Sequence, residues 1–175
     1  RCVVSGNVRR SAQIAFGEPT DVDFFELKDP QKNKDALYHH RWASNNSVLA
    51  KVGMDYSKVA ELTAKNGEPG FLWLDNAQKY SRMNGVIDNK DYRARGTNPC
   101  GEITLESMEF CNLVETYPSN HDTLEDWIDT LKYAYMYSKS VTLIPCHDQG
   151  SNSVMLRNRR IGCSISGIAQ AFKKF

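Results

Sequence analysis

Cys100 stands between Pro99 and Gly101, with Asn98 and Glu102 one step further out on either side. Pro99 fixes its own φ and keeps Asn98 out of the helical region, while Gly101 permits backbone angles that a Cβ forbids. A loop of this composition can hold a thiol at a defined point. Asn98 is then the hydrogen-bonding amide beside it and Glu102 the potential base. A lone cysteine is ordinarily a small buried hydrophobe. These neighbours make Cys100 a candidate for thiol chemistry instead.

Other chemistry-bearing residues are less pointed. The five cysteines (Cys2, Cys100, Cys111, Cys146, Cys163) are odd in number and irregular in spacing. There is no Cys-x-x-Cys, and the four histidines do not complete a zinc pattern, so no metal site is expected. Reduced thiols in the cytoplasm fit better than a secreted disulfide framework. His39 and His40, being adjacent, face different ways on either a helix or a strand. Tyr133, Tyr135 and Tyr137 read as aromatic packing on a helix. Arg9 and Arg10, just after Asn7, have two open readings: a solvated pair at a strand edge, or a clamp for phosphate or carboxylate.

Composition bounds the rest. At 175 residues, 41% hydrophobic and 25% charged, the chain has the make-up of a soluble globular protein able to bury the core of one domain. Its net charge of +1 gives no electrostatic footprint for nucleic acid or a membrane surface. No apolar run approaches the ~18 residues of a membrane span, and no signal peptide is visible. The chain opens on Arg1 and closes on Phe175, and is expected to be an internal piece of something longer.

The elements that must position Cys100 follow from periodicity and turn residues. Two short strands are expected within 2–16 around a Gly6-Asn7 turn, with alternation at Ala12, Ile14 and Phe16. Asp21 is placed to cap a short helix through Phe24, Phe25 and Leu27. Residues 29–35 read as a polar loop, and the small polar residues of 43–48 as a loop or strand end at a pocket rim. Helical spacing spans Tyr56 to Ala64, with Asp55 as the cap and a stop at Asn66-Gly67. Phe71 to Leu74 suits a short buried strand, and Arg82, Arg93 and Arg95 read as solvated. Ile103 and Leu105 alternate with polar partners, and 111–114 is a further strand, broken at Tyr117-Pro118. The clearest helix is 124–141, with Thr123 as its cap and Asp126 three residues on. Residues 161–168 pass from a strand into a final helix. This order of elements is that of an α/β domain.

Read together, GNVRRSAQIAFG, RWASNNSV, NGEPGFLWLDNA, NPCGEITLES, CNLVE-x-YPS and RNRRIGCSISGIAQ resemble, in order and wording, the class II ribonucleotide reductases. Within that class the resemblance is to the adenosylcobalamin-dependent ribonucleoside-triphosphate reductases, and it spans essentially all 175 residues. Cys100 and Cys111 lie eleven residues apart, a spacing similar to that of the radical and redox cysteines in cobalamin-dependent members. Iron-dependent members space them further apart.

The resemblance implies a fold: residues 1–175 as part of a ten-stranded α/β barrel, with its finger loop near 97–103. It implies roles too. Cys100 would carry a transient thiyl radical after adenosylcobalamin homolysis and take the 3′ hydrogen of a ribonucleotide. Glu102 would deprotonate the 3′ hydroxyl, and Asn98 would hydrogen-bond the substrate. Cys111 would supply reducing electrons and be restored by a thioredoxin-like dithiol. Asn7, Arg9 and Arg10 would belong to the loop that senses a nucleotide effector. Cys2 lies only 98 residues before Cys100, too near to be the family's second redox cysteine, and reads as structural. Two other readings remain open: a truncated or intein-interrupted segment without activity, and a related glycyl-radical-type barrel enzyme.

Overall fold

Residues 12–81 and 85–175 are described by the computed structural model, and the chain divides into two units, Arg1–Ser107 and Met108–Phe175. The Gly6-Asn7 turn expected in the first unit lies outside the described residues, among which the first elements are β1 (Gln13–Gly17) and α1 (Val22–Glu26). As expected, Asp21 caps α1, its carboxylate accepting the Phe24 amide at 3.0 Å. α2 (Lys34–His39) and a 3-10 turn at Arg41–Ala43 lead into β2 (Ser44–Leu49). α3 (Ser57–Asn66) closes on Gly67, and β3 (Gly70–Leu72) is followed by α4 (Leu74–Tyr80). The three strands pair in parallel with β2 in the middle, Asn45 opposite Ile14 and Val48 opposite both Gly17 and Phe71. Parallel neighbours cannot be joined by a tight turn, so the helices serve as crossovers. Phe25 from α1, Val48 from β2, and Val59 and Leu62 from α3 form the buried core, with Phe24 against it.

The stretch expected as a loop or strand end is a whole central strand from Ser44 onward, with Ala43 closing the 3-10 turn before it. Asn46 and Val48 are the buried positions of β2, so an amide occupies a place where periodicity looks for an apolar residue. Polar neighbours hold that strand: the Asn46 amide N–H donates to Glu68 at 3.3 Å, and Glu68 pairs with Lys28 at 2.5 Å. Phe71 and Trp73 are also less buried than a core strand requires. Each is 39% exposed, and both pack edge-on against Tyr56, with ring centroids 5.5 and 5.9 Å away. The strand ends at Leu72 and α4 begins at Leu74, a helix the apolar run concealed. Asp55 acts one residue before the α3 cap, accepting both the amide and hydroxyl of Ser57.

A short antiparallel hairpin completes the first unit: β4 (Gly96–Thr97) and β5 (Thr104–Leu105).

In the second unit, β6 (Asn112–Thr116) is followed by a 3-10 turn at Pro118–Asn120 and by α5 (Leu124–Val141). α6 (Gln149–Asn158), β7 (Ile161–Ile165) and α7 (Ile168–Lys174) follow. β6 and β7 pair in parallel, Asn112 opposite Ile161, and α5 lies against both strands. α5 keeps its expected bounds because both ends are specified. Thr123 Oγ1 accepts the Asp126 amide at 3.1 Å, and the Arg159 guanidinium donates to the Lys139 carbonyl at the other end. α6 was not foreseen: its residues, QGSNSVMLRN, carry little apolar periodicity. The Asp148 carboxylate starts it by accepting the Ser151 amide at 2.6 Å.

The seven described strands therefore form small parallel sheets and one hairpin in a mixed α/β arrangement, not a closed ten-stranded barrel. Thr123→Ala removes the side-chain acceptor at the start of α5. It is expected to cost about 1 kcal/mol, read as a lower urea midpoint with an unchanged denaturant slope.

Candidate functional site: the cysteine hairpin

Residues 98–103 are the tip of the β4–β5 hairpin, and Asn98 closes it three ways. Its backbone N–H donates to the Ile103 carbonyl at 3.0 Å, and its side-chain Oδ1 accepts the Ile103 N–H at 3.0 Å. Its side-chain amide nitrogen donates to Glu102 Oε1 at 2.6 Å. The Asn98 carbonyl in turn accepts the Gly101 amide at 2.9 Å. Gly101 has φ +88°, a left-handed conformation that costs a residue with a Cβ ~1–2 kcal/mol. The turn thus carries Cys100 at its crest, exposed and outside any disulfide.

Three candidates from the sequence, Asn98, Cys100 and Glu102, are therefore brought together on one tip. Asn98 does more than an amide waiting for a ligand: it fixes the Glu102 carboxylate two residues from the thiol. An amide nitrogen has two donors, so a second hydrogen remains after the bond to Glu102. The same side chain can orient the base and still donate to a bound hydroxyl.

The hairpin base is tied to the body of the first unit. The Arg95 amide extends the ladder by donating to the Leu105 carbonyl at 2.8 Å, and Gln78 on α4 donates to the Ala94 carbonyl at 2.8 Å. Buried Asp91 accepts the hydroxyl of Thr104. Phe16 of β1 lies so close over Gly96 that a Cβ there would come within 2.9 Å of the ring. Nearer the tip, Asn45 of β2 donates its side-chain amide to the Pro99 carbonyl at 2.7 Å. Asp91, Thr104 and Asn45 were not singled out from the sequence. Each sits in an unremarkable polar stretch, and only the fold shows what it reaches.

Cys111 belongs to the second unit, half-buried immediately before β6. Beside it, the fully buried Glu109 carboxylate accepts the Arg160 guanidinium at 2.7 Å, joining the start of β6 to the start of β7. This unit also has an apolar cavity of about 440 Å³ lined by Pro118, Leu124, Trp127, Ile165, Ile168 and Phe172. Asn7, Arg9 and Arg10 lie outside the described residues, as does Cys2. Among the described residues, no three or more His, Cys, Asp or Glu side chains come together as a metal site, and no helix is long and apolar enough to cross a membrane.

No protein-family model matches the chain. A solved structure does, described as a B12-dependent (class II) ribonucleotide reductase. The match has a TM-score of 0.76 at 39% identity, covering 89% of this chain and 22% of that one. Over nearly all of its length the chain is thus homologous to one segment of the class II ribonucleotide reductases.

Its named relatives narrow the placement. It is 58% identical over 169 residues to the adenosylcobalamin-dependent ribonucleoside-triphosphate reductase of Euglena gracilis, covering 97% of this chain and 23% of that protein. It is 57% identical over 171 residues to a probable enzyme of the same name from Dictyostelium discoideum, covering 97% and 22%. Against the Lactobacillus gasseri enzyme it is 43% identical over 171 residues, covering 96% and 23%. The chain spans less than a quarter of the length of these relatives.

The approach to the hairpin carries a pH dependence. The Asp88 carboxyl is held below the ordinary carboxylate range, chiefly by the Lys90 amide and then by the Ser81 hydroxyl, at 3.0 and 2.7 Å. A lowered folded-state pKa contributes stability that is present above the unfolded value, about 3.9, and lost as pH falls through the folded one. Amide-exchange protection at Lys90 and Asp91 should therefore hold at neutral pH and decline below about pH 4. Asp88→Asn should flatten that decline.

Proposed function

We propose that this chain is part of the catalytic subunit of an adenosylcobalamin-dependent ribonucleoside-triphosphate reductase, with residues 97–103 as the finger loop of its barrel. The whole enzyme reduces ribonucleotides to 2′-deoxyribonucleotides for DNA synthesis. One observation carries the reading: an exposed Cys100 at a hairpin crest, two residues from a carboxylate that Asn98 holds in place. The naming of the relatives supports the cofactor and the triphosphate substrate.

The residues present fit such a cofactor in one respect that bears on chemistry. A thiol outside any disulfide, exposed at the end of a supported hairpin, is a hydrogen-atom donor within reach of a bound partner. When bound, adenosylcobalamin supplies the radical chemistry that this thiol needs.

The chain's own residues then divide the work. As a thiyl radical, Cys100 takes the 3′ hydrogen of the ribose; S–H and activated C–H bonds are close in strength, so the step is reversible. Glu102 accepts the proton of the 3′ hydroxyl, and the 2′ hydroxyl leaves as water with a proton supplied by one of the two redox thiols. Asn98 keeps the carboxylate in register and donates its remaining amide hydrogen to the substrate. Cys111, with a second thiol elsewhere in the enzyme, provides two electrons and becomes a disulfide. A thioredoxin-like dithiol restores it by exchange, which suits a reducing cytoplasm. Asn7, Arg9 and Arg10 belong to a loop that reads a nucleotide effector.

Two sets of variants in the full-length enzyme with adenosylcobalamin test these roles. Cys100→Ser should abolish reduction, because an alcohol O–H is too strong to give its hydrogen to a carbon radical. Glu102→Gln should lower kcat by roughly 10²–10⁴-fold. Measurable deoxynucleotide from Cys100→Ser would remove that thiol from the radical role. Cys111→Ser should still form a radical but fail to sustain reduction with external dithiol. Many turnovers by that variant would make Cys111 a packing residue.

A further inference from the structure

We propose that Asn45 is a positioning residue for Cys100, acting through the carbonyl of Pro99. The proposal rests on the reading of Cys100 as the radical carrier.

β2 is the most constrained strand of the first unit, paired with β1 over residues 44–48 and with β3 over residues 47–49. Asn45 lies on the face opposite buried Asn46, and its side chain is exposed. From there it donates to the Pro99 carbonyl at 2.7 Å, across 54 residues of chain. That oxygen belongs to the peptide group whose nitrogen is Cys100's own. Peptide groups are planar and the Pro99 ring fixes φ, so holding the oxygen orients the plane from which the Cys100 Cα departs. The next peptide is pinned from inside the turn, where the Gly101 N–H donates to the Asn98 carbonyl at 2.9 Å. Both peptides flanking the thiol are therefore held, one by the tip itself and one by the sheet.

The two restraints differ in kind. Asn98 closes the tip on itself and would do so wherever the hairpin leaned. Asn45 ties the crest to the strand behind it and sets where Cys100 stands relative to the body of the protein. A hydrogen-atom transfer needs sulfur and C–H in contact, and a displacement of about 1 Å can cost ~10²-fold in rate. An exposed hydrogen bond contributes little to folding by comparison. Loss of Asn45 should thus appear in turnover, with substrate affinity and stability preserved.

The test uses the full-length enzyme with adenosylcobalamin and compares Asn45→Asp and Asn45→Ala. Asp keeps the shape but presents a carboxylate to the carbonyl; Ala removes the group. Both should lower kcat by about 10²-fold while KM stays within about twofold and the thermal melt is unchanged. The isotope effect on kcat with 3′-deuterated substrate should rise, because hydrogen abstraction has become the slow step. A kcat within about threefold of the parent in both variants would overturn the proposal. So would a raised KM at unchanged kcat, which would place Asn45 on the substrate, or failure of both variants to fold. Cys100→Ser, run alongside, separates the two readings: turnover by that variant defeats the radical role of Cys100. Loss of turnover there beside intact Asn45 variants defeats only the positioning role.

Discussion

The amide side chain of Asn98 is the constraint on which the hairpin depends. It closes the turn through Ile103 and holds the Glu102 carboxylate in one motion. The crest of this six-residue loop is exposed and Ile103 at its end is buried, so between them hydrogen bonds set the course of the chain. Gly101 supplies the left-handed φ that lets the chain return toward Ile103. Replace the amide by an apolar group and the Ile103 N–H, the Glu102 carboxylate and the course of the backbone past Cys100 all lose their reference.

Around that tip, the first unit reads as a mounting. β1 contributes Phe16 over Gly96, β2 contributes Asn45 to Pro99, and α4 contributes Gln78 to Ala94. None of these contacts is large, and each acts on a different point of the hairpin. The parallel sheet matters here because its middle strand is paired on both sides, a firmer base than an edge strand. In the second unit, the Glu109–Arg160 pair has the same logic at the start of β6, next to Cys111. A fully buried carboxylate requires its partner, since leaving either charge unpaired inside is costly. The two cysteines proposed for radical and redox work thus each stand beside a polar clamp.

How much of this could be read in the sequence depended on whether the signal was local. The Asp21 and Thr123 caps, the Gly67 stop and the α5 bounds are local hydrogen-bond or backbone properties, and the structure has them where expected. Asn98, Cys100 and Glu102 were readable because Pro99 and Gly101 mark the turn that gathers them. β2 was not, because Asn46 occupies a buried position and the run of Ser and Asn hides the alternation. α4 and α6 were missed for opposite reasons: one begins inside an apolar run, the other has almost no apolar face. Asn45, Asp91 and Thr104 act across the fold, and no local pattern distinguishes them from solvated residues.

The most direct measurement is a structure of the full-length enzyme with a ribonucleoside triphosphate bound. The Cys100 sulfur should lie in van der Waals contact with the ribose C3′ hydrogen. A Glu102 carboxylate oxygen should lie within about 2.6–3.2 Å of the 3′ hydroxyl. A ribose seated away from the hairpin tip, with neither Cys100 nor Glu102 at its 3′ carbon, would contradict the assignment.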